Sequence, residues 1–327
     1  MIRLQLSNDD LAKMRFGYSP LIELMSSFRV LHRPERQYPY LRWVEEAKQV
    51  TYDLDLPYLH VLTNIPFYIP DFLTPTPSTT ITNLEDEITN LRNVSTAVIR
   101  KNIKLALSYN GETDILLQFL VYPRELIECL IEEIRIYWQR TLAHHWTRMH
   151  SVLDGDVLFR ARQLALGGPD ALLTGLNDKI RFRENRIEWD ADHKPQFMHK
   201  DYHLPGEGVQ LVPSIFLCNF TWQIEPEWRP MLSYHARGAG LWYQTPKFET
   251  DPSLEIALGE TRARVLRLLA TPTSTGEIAR ILQITAGAAS QHLSRLGQAG
   301  LVEPHRSGKR VYYHLTSRGT QLVALFN

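Results

Sequence analysis

Cysteine is nearly missing from this chain of 327 residues: only Cys129 and Cys218 occur. Two cysteines far apart in apolar stretches exclude a disulfide framework and a four-cysteine zinc site, and both are expected to be buried, reduced thiols. Net charge is missing too, 36 basic residues standing against 36 acidic ones, so no chain-wide field draws the protein to polyanions. No apolar run approaches the ~20 residues that cross a bilayer. The first ten residues lack the apolar centre of a signal peptide, so a cytoplasmic location without a membrane partner is expected. Catalytic signatures are lacking as well. There is no Gly-x-x-x-x-Gly-Lys-Ser/Thr phosphate loop, no Gly-x-Ser-x-Gly elbow and no His-Glu-x-x-His helix. Neither an enzyme nor a cofactor is expected.

What is present is enough apolar material, 44% of residues, for two or three cores. The charge is also unevenly placed. Residues 251–327 hold nine bases (Arg262, Arg264, Arg267, Arg280, Arg295, Arg306, Lys309, Arg310, Arg318) against five acids, which leaves that segment at +4 and the remainder at −4. A small basic module joined to a mildly acidic larger part is the pattern of a protein in which only the module meets phosphate.

Along the chain, the pattern predicts a mostly helical α+β protein: a helical N-terminal domain with a small antiparallel β portion, then a C-terminal winged helix-turn-helix. The N-terminal domain spans residues 1–250, helical over 1–178 and β-rich over 179–242, with a linker at 243–252. The winged helix takes 253–327. An opening strand, Arg3 to Leu6, precedes a Ser7 cap, and Pro20 opens a helix with Leu21, Leu24, Phe28 and Leu31 on one face. Four prolines between Ile65 and Thr80 predict an exposed loop. One helix is predicted from Leu84 to Ser108, then a short one from Asp114. A long one starts at Pro123 and reaches towards Leu166, with a break at Asp154-Gly155-Asp156 and a stop at Gly167-Gly168-Pro169. From Lys179 the period becomes two, and Glu184-Asn185 reads as a hairpin turn.

Several groups invite a chemical reading. His193, His199 and His203 lie near Asp192 and Asp201, but strand alternation splits near neighbours between faces. His144, His145 and His150 are at spacings that share no helix face. Surface or satisfied core histidines are the favoured reading, and no metal site is expected. Tyr137, Trp138, Trp146 and Phe159 either line an apolar ligand pocket or are simply core.

The C-terminal quarter is more specific. Ser274-Thr-Gly-Glu277 is a capping-box pattern, after which Ile278, Ala279 and Leu282 face inward. Gln283 to Thr285 makes a turn, and Thr285 caps a second helix buried through Ala289, Leu293 and Leu296. Its other residues, Thr285, Gly287, Ala288, Ser290, Gln291, His292 and Arg295, are the candidate DNA contacts. Small residues permit close approach, Gln291 has the donor–acceptor pair that reads adenine, and Arg295 suits phosphate or guanine. Gly300 supplies a left-handed helix end. A hairpin follows, tipped by Arg306, Lys309 and Arg310, whose charge suits an adjacent phosphate or the minor groove.

This segment resembles the winged-helix domain of the arsenic-repressor (ArsR/SmtB) family of bacterial regulators. The likeness rests on Leu258-Gly-Glu-Thr-Arg262, Glu277-Ile-Ala279, Ala289-Ser-Gln-His-Leu293, Leu296, Ala299-Gly-Leu-Val302 and Gly308-Lys-Arg-Val-Tyr-Tyr313. It implies a homodimer that binds a palindromic double-stranded operator, as a repressor released by a signal. Metal-sensing members carry cysteines in the first helix of the motif, whereas Glu277 to Leu282 has none, so metal sensing is not carried over. Upstream, Phe16 to Leu24, Leu211 to Phe216 and Tyr234 to Gly238 resemble the region preceding the winged helix in a subset of such regulators, which implies no particular ligand.

The expected function is sequence-specific transcriptional regulation through a recognition helix at 286–299 and a basic wing at 303–313, with an unidentified small-molecule effector as a further partner. Two alternatives remain: an enzymatic N-terminal domain with autoregulatory DNA binding, and an N-terminal module that only dimerises or recruits a partner.

Overall fold

The computed structural model describes residues 2–37, 40–66, 68–77, 83–177, 179–189, 201–217, 220–239, 242–243, 252–269, 273–307 and 310–326. The chain divides into two compact units, Met1–Trp146 with Val157–Ala239, and Thr147–Asp156 with Gly240–Asn327. Thr147–Asp156 thus packs with the C-terminal unit. Within that segment Met149, Val152 and Leu153 are all buried.

The first unit opens with β1 (Ile2–Gln5), α1 (Asn8–Ala12) and β2 (Arg15–Phe16). Ser7 caps α1 in a reciprocal box, its hydroxyl accepting from the Asp10 amide at 3.1 Å while the Asp10 carboxylate accepts the Ser7 amide at 2.9 Å. Next comes α2 (Pro20–Leu31), capped by Ser19, with all twelve residues buried. A helix enclosed on every side is the centre of its unit. Around it follow α3 (Leu41–Thr51), α4 (Pro57–Thr63), α5 (Leu84–Asn93), α6 (Thr96–Asn110), α7 (Asp114–Val121) and α8 (Pro123–Thr141). The last helix of this run, α9 (Trp146–Thr174), is kinked at Gly168, whose φ of 69° is not helical.

Four expectations are corrected here. The single helix over 84–108 is two, because Val94 adopts an extended conformation and Ser95 caps a new start. The long helix breaks at residues 142–145 instead of 154–156, whereas the stop at Gly167-Gly168-Pro169 is where it was expected: Gly168, with φ 69° and ψ −170°, leaves the helical region and a second helical stretch follows it. The proline-rich stretch is no exposed loop: Ile65, Phe72 and Leu73 are fully buried. Its backbone is satisfied from outside, the Phe72 amide donating to Asn102 Oδ1 at 2.8 Å and Gln223 Nε2 to the Asp71 carbonyl at 2.7 Å. Prolines carry no N–H, so such a segment has fewer donors to pair when it is buried. Cys129 is exposed on the outer side of α8, because the inner side is taken by Leu126, Ile127, Leu130 and Ile134. Cys218 lies outside the described residues.

Six strands complete the unit: β3 (Ile180–Arg183), β4 (Arg186–Trp189), β5 (Asp201–His203), β6 (Gln210–Ser214), β7 (Thr221–Gln223) and β8 (Met231–His235). The β3–β4 hairpin is as the alternation predicts, with φ of 51° and 56° at Glu184 and Asn185. Two positive φ values in succession match the twist of a tight hairpin. The sheets are mixed, however, not antiparallel. One has the order β3-β4-β1-β5 with β1 and β5 parallel. The other has the order β2-β6-β8-β7, with β2–β6 and β6–β8 parallel and β7–β8 antiparallel. The opening strands therefore finish sheets whose other members lie some 200 residues on, so the helical and β-rich parts share one core of Ile2, Leu4, Leu172, Ile187, Leu211 and Tyr234, among others. Among the described residues no helix is long and apolar enough to cross a membrane.

Candidate nucleic-acid interface

The second unit contains α10 (Pro252–Leu258), α11 (Glu260–Leu268), β9 (Thr273–Ser274), α12 (Thr275–Leu282), α13 (Ala286–Gln298), β10 (Val302–Ser307), β11 (Arg310–Leu315) and α14 (Ser317–Ala324). Its core gathers Val265, Leu266, Ile278, Leu282, Ala289, Leu293, Leu296 and Val323. Four helices, α11 to α14, thus meet over one apolar centre, with Val302 of β10 joining them. The sheet order is β10-β11-β9; Thr273 and Ser274 pair with Tyr313 and Tyr312. A strand of two residues has too little pattern to be read from sequence.

The turn between α12 and α13 is held at both ends. Gln283 takes a φ of 55°, and the Ile284 amide donates back to the Ala279 carbonyl at 3.0 Å, closing α12. Thr285 is extended, and its hydroxyl accepts from the Ala288 amide at 3.1 Å, opening α13. At the far end Gly300 has a φ of 68° and the Leu301 amide donates to the Leu296 carbonyl at 3.0 Å. Ser274 precedes α12 as expected; the Glu277 side chain of the capping box lies outside what is described.

On α13, Ala289, Leu293 and Leu296 are buried, while Gly287, Ser290, Gln291 and Arg295 are exposed. Gly287 and Gln291 fall two residues before Ala289 and Leu293, on the side of the helix opposite the core. Continuing that stripe at helical spacing adds Ser294 and Gln298, both exposed. The sequence reading passed over these two, and the 3.6 period from Gln291 would have found them. Ala288 and His292 are half-buried, with His292 Nδ1 enclosed and lacking a hydrogen-bond partner. They sit at the edge of the outward face.

The wing is the β10–β11 hairpin, paired from Val302↔Leu315 to Ser307↔Arg310. Arg306 is exposed on β10. Lys309 lies outside the described residues, and of Arg310 the backbone alone is described. Glu303 and His314 face each other across the hairpin at 3.1 Å. On α11, Arg264 and Arg267 meet Glu260 and Glu255 at 3.4 and 3.7 Å. Part of the basic excess of this unit is thereby balanced on α11, while Arg295 and Arg306 stand exposed on α13 and the wing.

The candidates of the first unit separate. On β5, Asp201 and His203 are both exposed, with Asp201 bound to Arg3 at 3.4 Å, while Asp192, His193 and His199 lie outside the described residues. His150, which belongs to the second unit, stands 3.9 Å from Asp154. Tyr137 is fully buried within hydrogen-bond reach, 3.1 Å, of Ser27. It lines a cleft of about 340 Å³ together with Phe28, Leu31, His32, His60 and Val61. Burial holds the His32 imidazole below its ordinary pKa. Trp138 and Trp146 instead pack on each other at 5.2 Å, and Phe159 lies 4.3 Å beneath Arg237. The four aromatics therefore do not form one pocket.

Residues 258–305 match a family described as a helix-turn-helix domain. The chain is 35% identical over 51 residues to the HTH-type transcriptional regulator YgaV of Escherichia coli (strain K12), a match covering 16% of this chain and 52% of that protein. The chain thus spans about half the length of that relative. Among solved structures it matches reduced HlyU from Vibrio cholerae N16961 with 29% identity and a TM-score of 0.20, covering 23% of this chain and 81% of that one. The C-terminal unit carries an ArsR-like helix-turn-helix domain of the DNA-binding kind.

Proposed function

We propose that the protein is a sequence-specific transcriptional regulator, a homodimer that binds a palindromic operator and represses from it. The observation that carries this reading is the outward stripe of α13, in which Gly287, Gln291, Ser294 and Gln298 oppose the buried Ala289, Leu293 and Leu296. A helix presented in this way fits the major groove, where Gln291 can pair with an adenine edge and Gly287 permits close approach. Thr285 and the first amides of α13 are suited to a phosphate, and Arg295 to a phosphate or guanine. Arg306, Lys309 and Arg310 serve the adjacent backbone as a sequence-independent anchor. Two such helices in a dimer read half-sites about one helical turn, ~34 Å, apart. Catalysis has no part in this reading. The cleft beside Tyr137 favours a small effector with apolar surface over a purely dimerising first unit.

Fluorescence anisotropy with the protein's own promoter region tests the proposal. Parent protein is expected to bind with nanomolar to micromolar affinity. Gln291→Ala should relax discrimination between operator and scrambled DNA, and Arg310→Ala should weaken both about equally. Absence of binding, or variants indistinguishable from the parent, overturns it.

A further inference from the structure

Breaking the helix between α8 and α9 has a chemical consequence. In a continuous helix, neighbours such as His144 and His145 point about 100° apart. At this junction the backbone turns instead: both the Leu142 and Ala143 amides donate to the Trp138 carbonyl at 2.9 Å, and α9 restarts at Trp146. The turn swings both imidazoles onto one carboxylate of α3. His144 Nε2 lies 3.0 Å and His145 Nε2 3.1 Å from the same oxygen, Glu46 Oε1. The rings stand 3.9 Å apart between centroids.

We propose that Glu46, His144 and His145 form a binding site for a divalent transition-metal ion. Two imidazole nitrogens and a carboxylate oxygen, all within 4.8 Å of one another, are a ligand set favoured by zinc, cobalt and nickel. Ligands bonded at ~2.0–2.1 Å stand about 2.9 Å apart at a right angle and about 3.3 Å apart at the tetrahedral angle. The two nitrogen–oxygen separations, 3.0 and 3.1 Å, fall between those values, so each imidazole already stands at a ligand's distance from the carboxylate oxygen. With the ion bound, each imidazole carries its proton on Nδ1 and presents Nε2 to the metal. His145 is largely covered, whereas His144 and Glu46 keep half and about a third of their side-chain surface open. The ion therefore has a path from solvent, and water completes its coordination. The site lies outside the helix-turn-helix segment and does not rest on the DNA-binding reading.

The test is a titration of full-length, tag-free protein, stripped with chelator, with Zn²⁺ and Co²⁺ by calorimetry and by the visible absorbance of bound Co²⁺. One equivalent is expected to bind and to raise the melting temperature. H145A and E46Q should each weaken binding by at least about tenfold, since changes merely adjacent to metal ligands already cost that much. E46Q keeps a hydrogen-bond acceptor for the rings, so it separates loss of the anionic ligand from loss of local structure. H203A, on β5, should bind as the parent does. Absence of stoichiometric binding overturns the proposal, as does an H145A protein that folds and binds metal like the parent.

Discussion

The buried carboxyl groups around α2 have no role in reading DNA, yet they set how this fold responds to pH. Glu23 accepts the Ile215 and Phe216 amides at 2.6 and 3.3 Å, and burial pushes its pKa up to about 7. Glu87 accepts the Leu21 amide at 2.7 Å, closing the start of α2, and burial raises it to about 8. Glu133 receives the Tyr58 and Leu59 amides at the start of α4 and is likewise raised to about 7. A carboxyl with a raised folded pKa binds a proton that the unfolded chain has released. Its contribution is complete below the unfolded value and is lost as pH rises through the folded one, by at most about 1.4 kcal/mol per pH unit for each group. For Glu87 that window runs from near 4.5 to about 8. Glu87→Gln, which cannot ionise, should flatten the fall in melting temperature between pH 6 and 8.5. His32, held low by burial, works in the opposite sense, so the comparison is between parent and variant curves, and superimposable slopes would refute the assignment. A second prediction at this scale concerns Gly319, where a Cβ would run into the Leu301 carbonyl oxygen. Gly319→Ala must push α14 away from the start of β10, and should destabilise the C-terminal unit by about 1–3 kcal/mol in chemical denaturation.

Elements whose signal is local were legible from sequence, and those assembled from distant segments were not. Thr285, Gln291 and Leu293 lie within nine residues, and cap, outward face and core face follow from that spacing alone. The cap is testable in turn: Thr285→Ala leaves the Ala288 amide without its acceptor and should lower stability by about 1 kcal/mol, which Thr285→Ser should largely restore. Equal melting of all three proteins would show that the turn is held otherwise. The β3–β4 hairpin was legible for the same reason, since Glu184-Asn185 and the flanking alternation sit in ten residues. By contrast, Phe16 pairs with Leu211 and Arg3 with Asp201, parallel partners whose register no local pattern encodes. The break before α9 falls at Leu142-Ala143, residues of high helix propensity, while Asp154-Gly155-Asp156 stays helical. Propensity is a weak prior that packing overrides. That misplaced break is also why two adjacent histidines, read on a regular helix as diverging, meet on Glu46. Phe16, Leu211 and Tyr234, far apart in sequence, lie on successive strands of one sheet, β2, β6 and β8.

At the scale of the molecule, zero net charge conceals a division of labour that should be visible in salt dependence. The segment from residue 251 carries nine bases against five acids, and the remainder carries the compensating excess of acid. If the basic segment alone meets DNA, binding should weaken linearly in log–log form as salt rises, with a slope set by the phosphates it neutralises, about 0.9 for each. Arg264 and Arg267 already face Glu260 and Glu255, so they should add less to it than Arg295. The expected result is that Arg306→Ala lowers the slope by about one and weakens operator and scrambled DNA alike, whereas Gln291→Ala leaves the slope intact and narrows the gap between the two sequences. Anisotropy titrations from 50 to 300 mM salt give both quantities. A parent slope near zero would mean that the basic excess is spent inside the unit and that the winged helix does not meet the phosphate backbone.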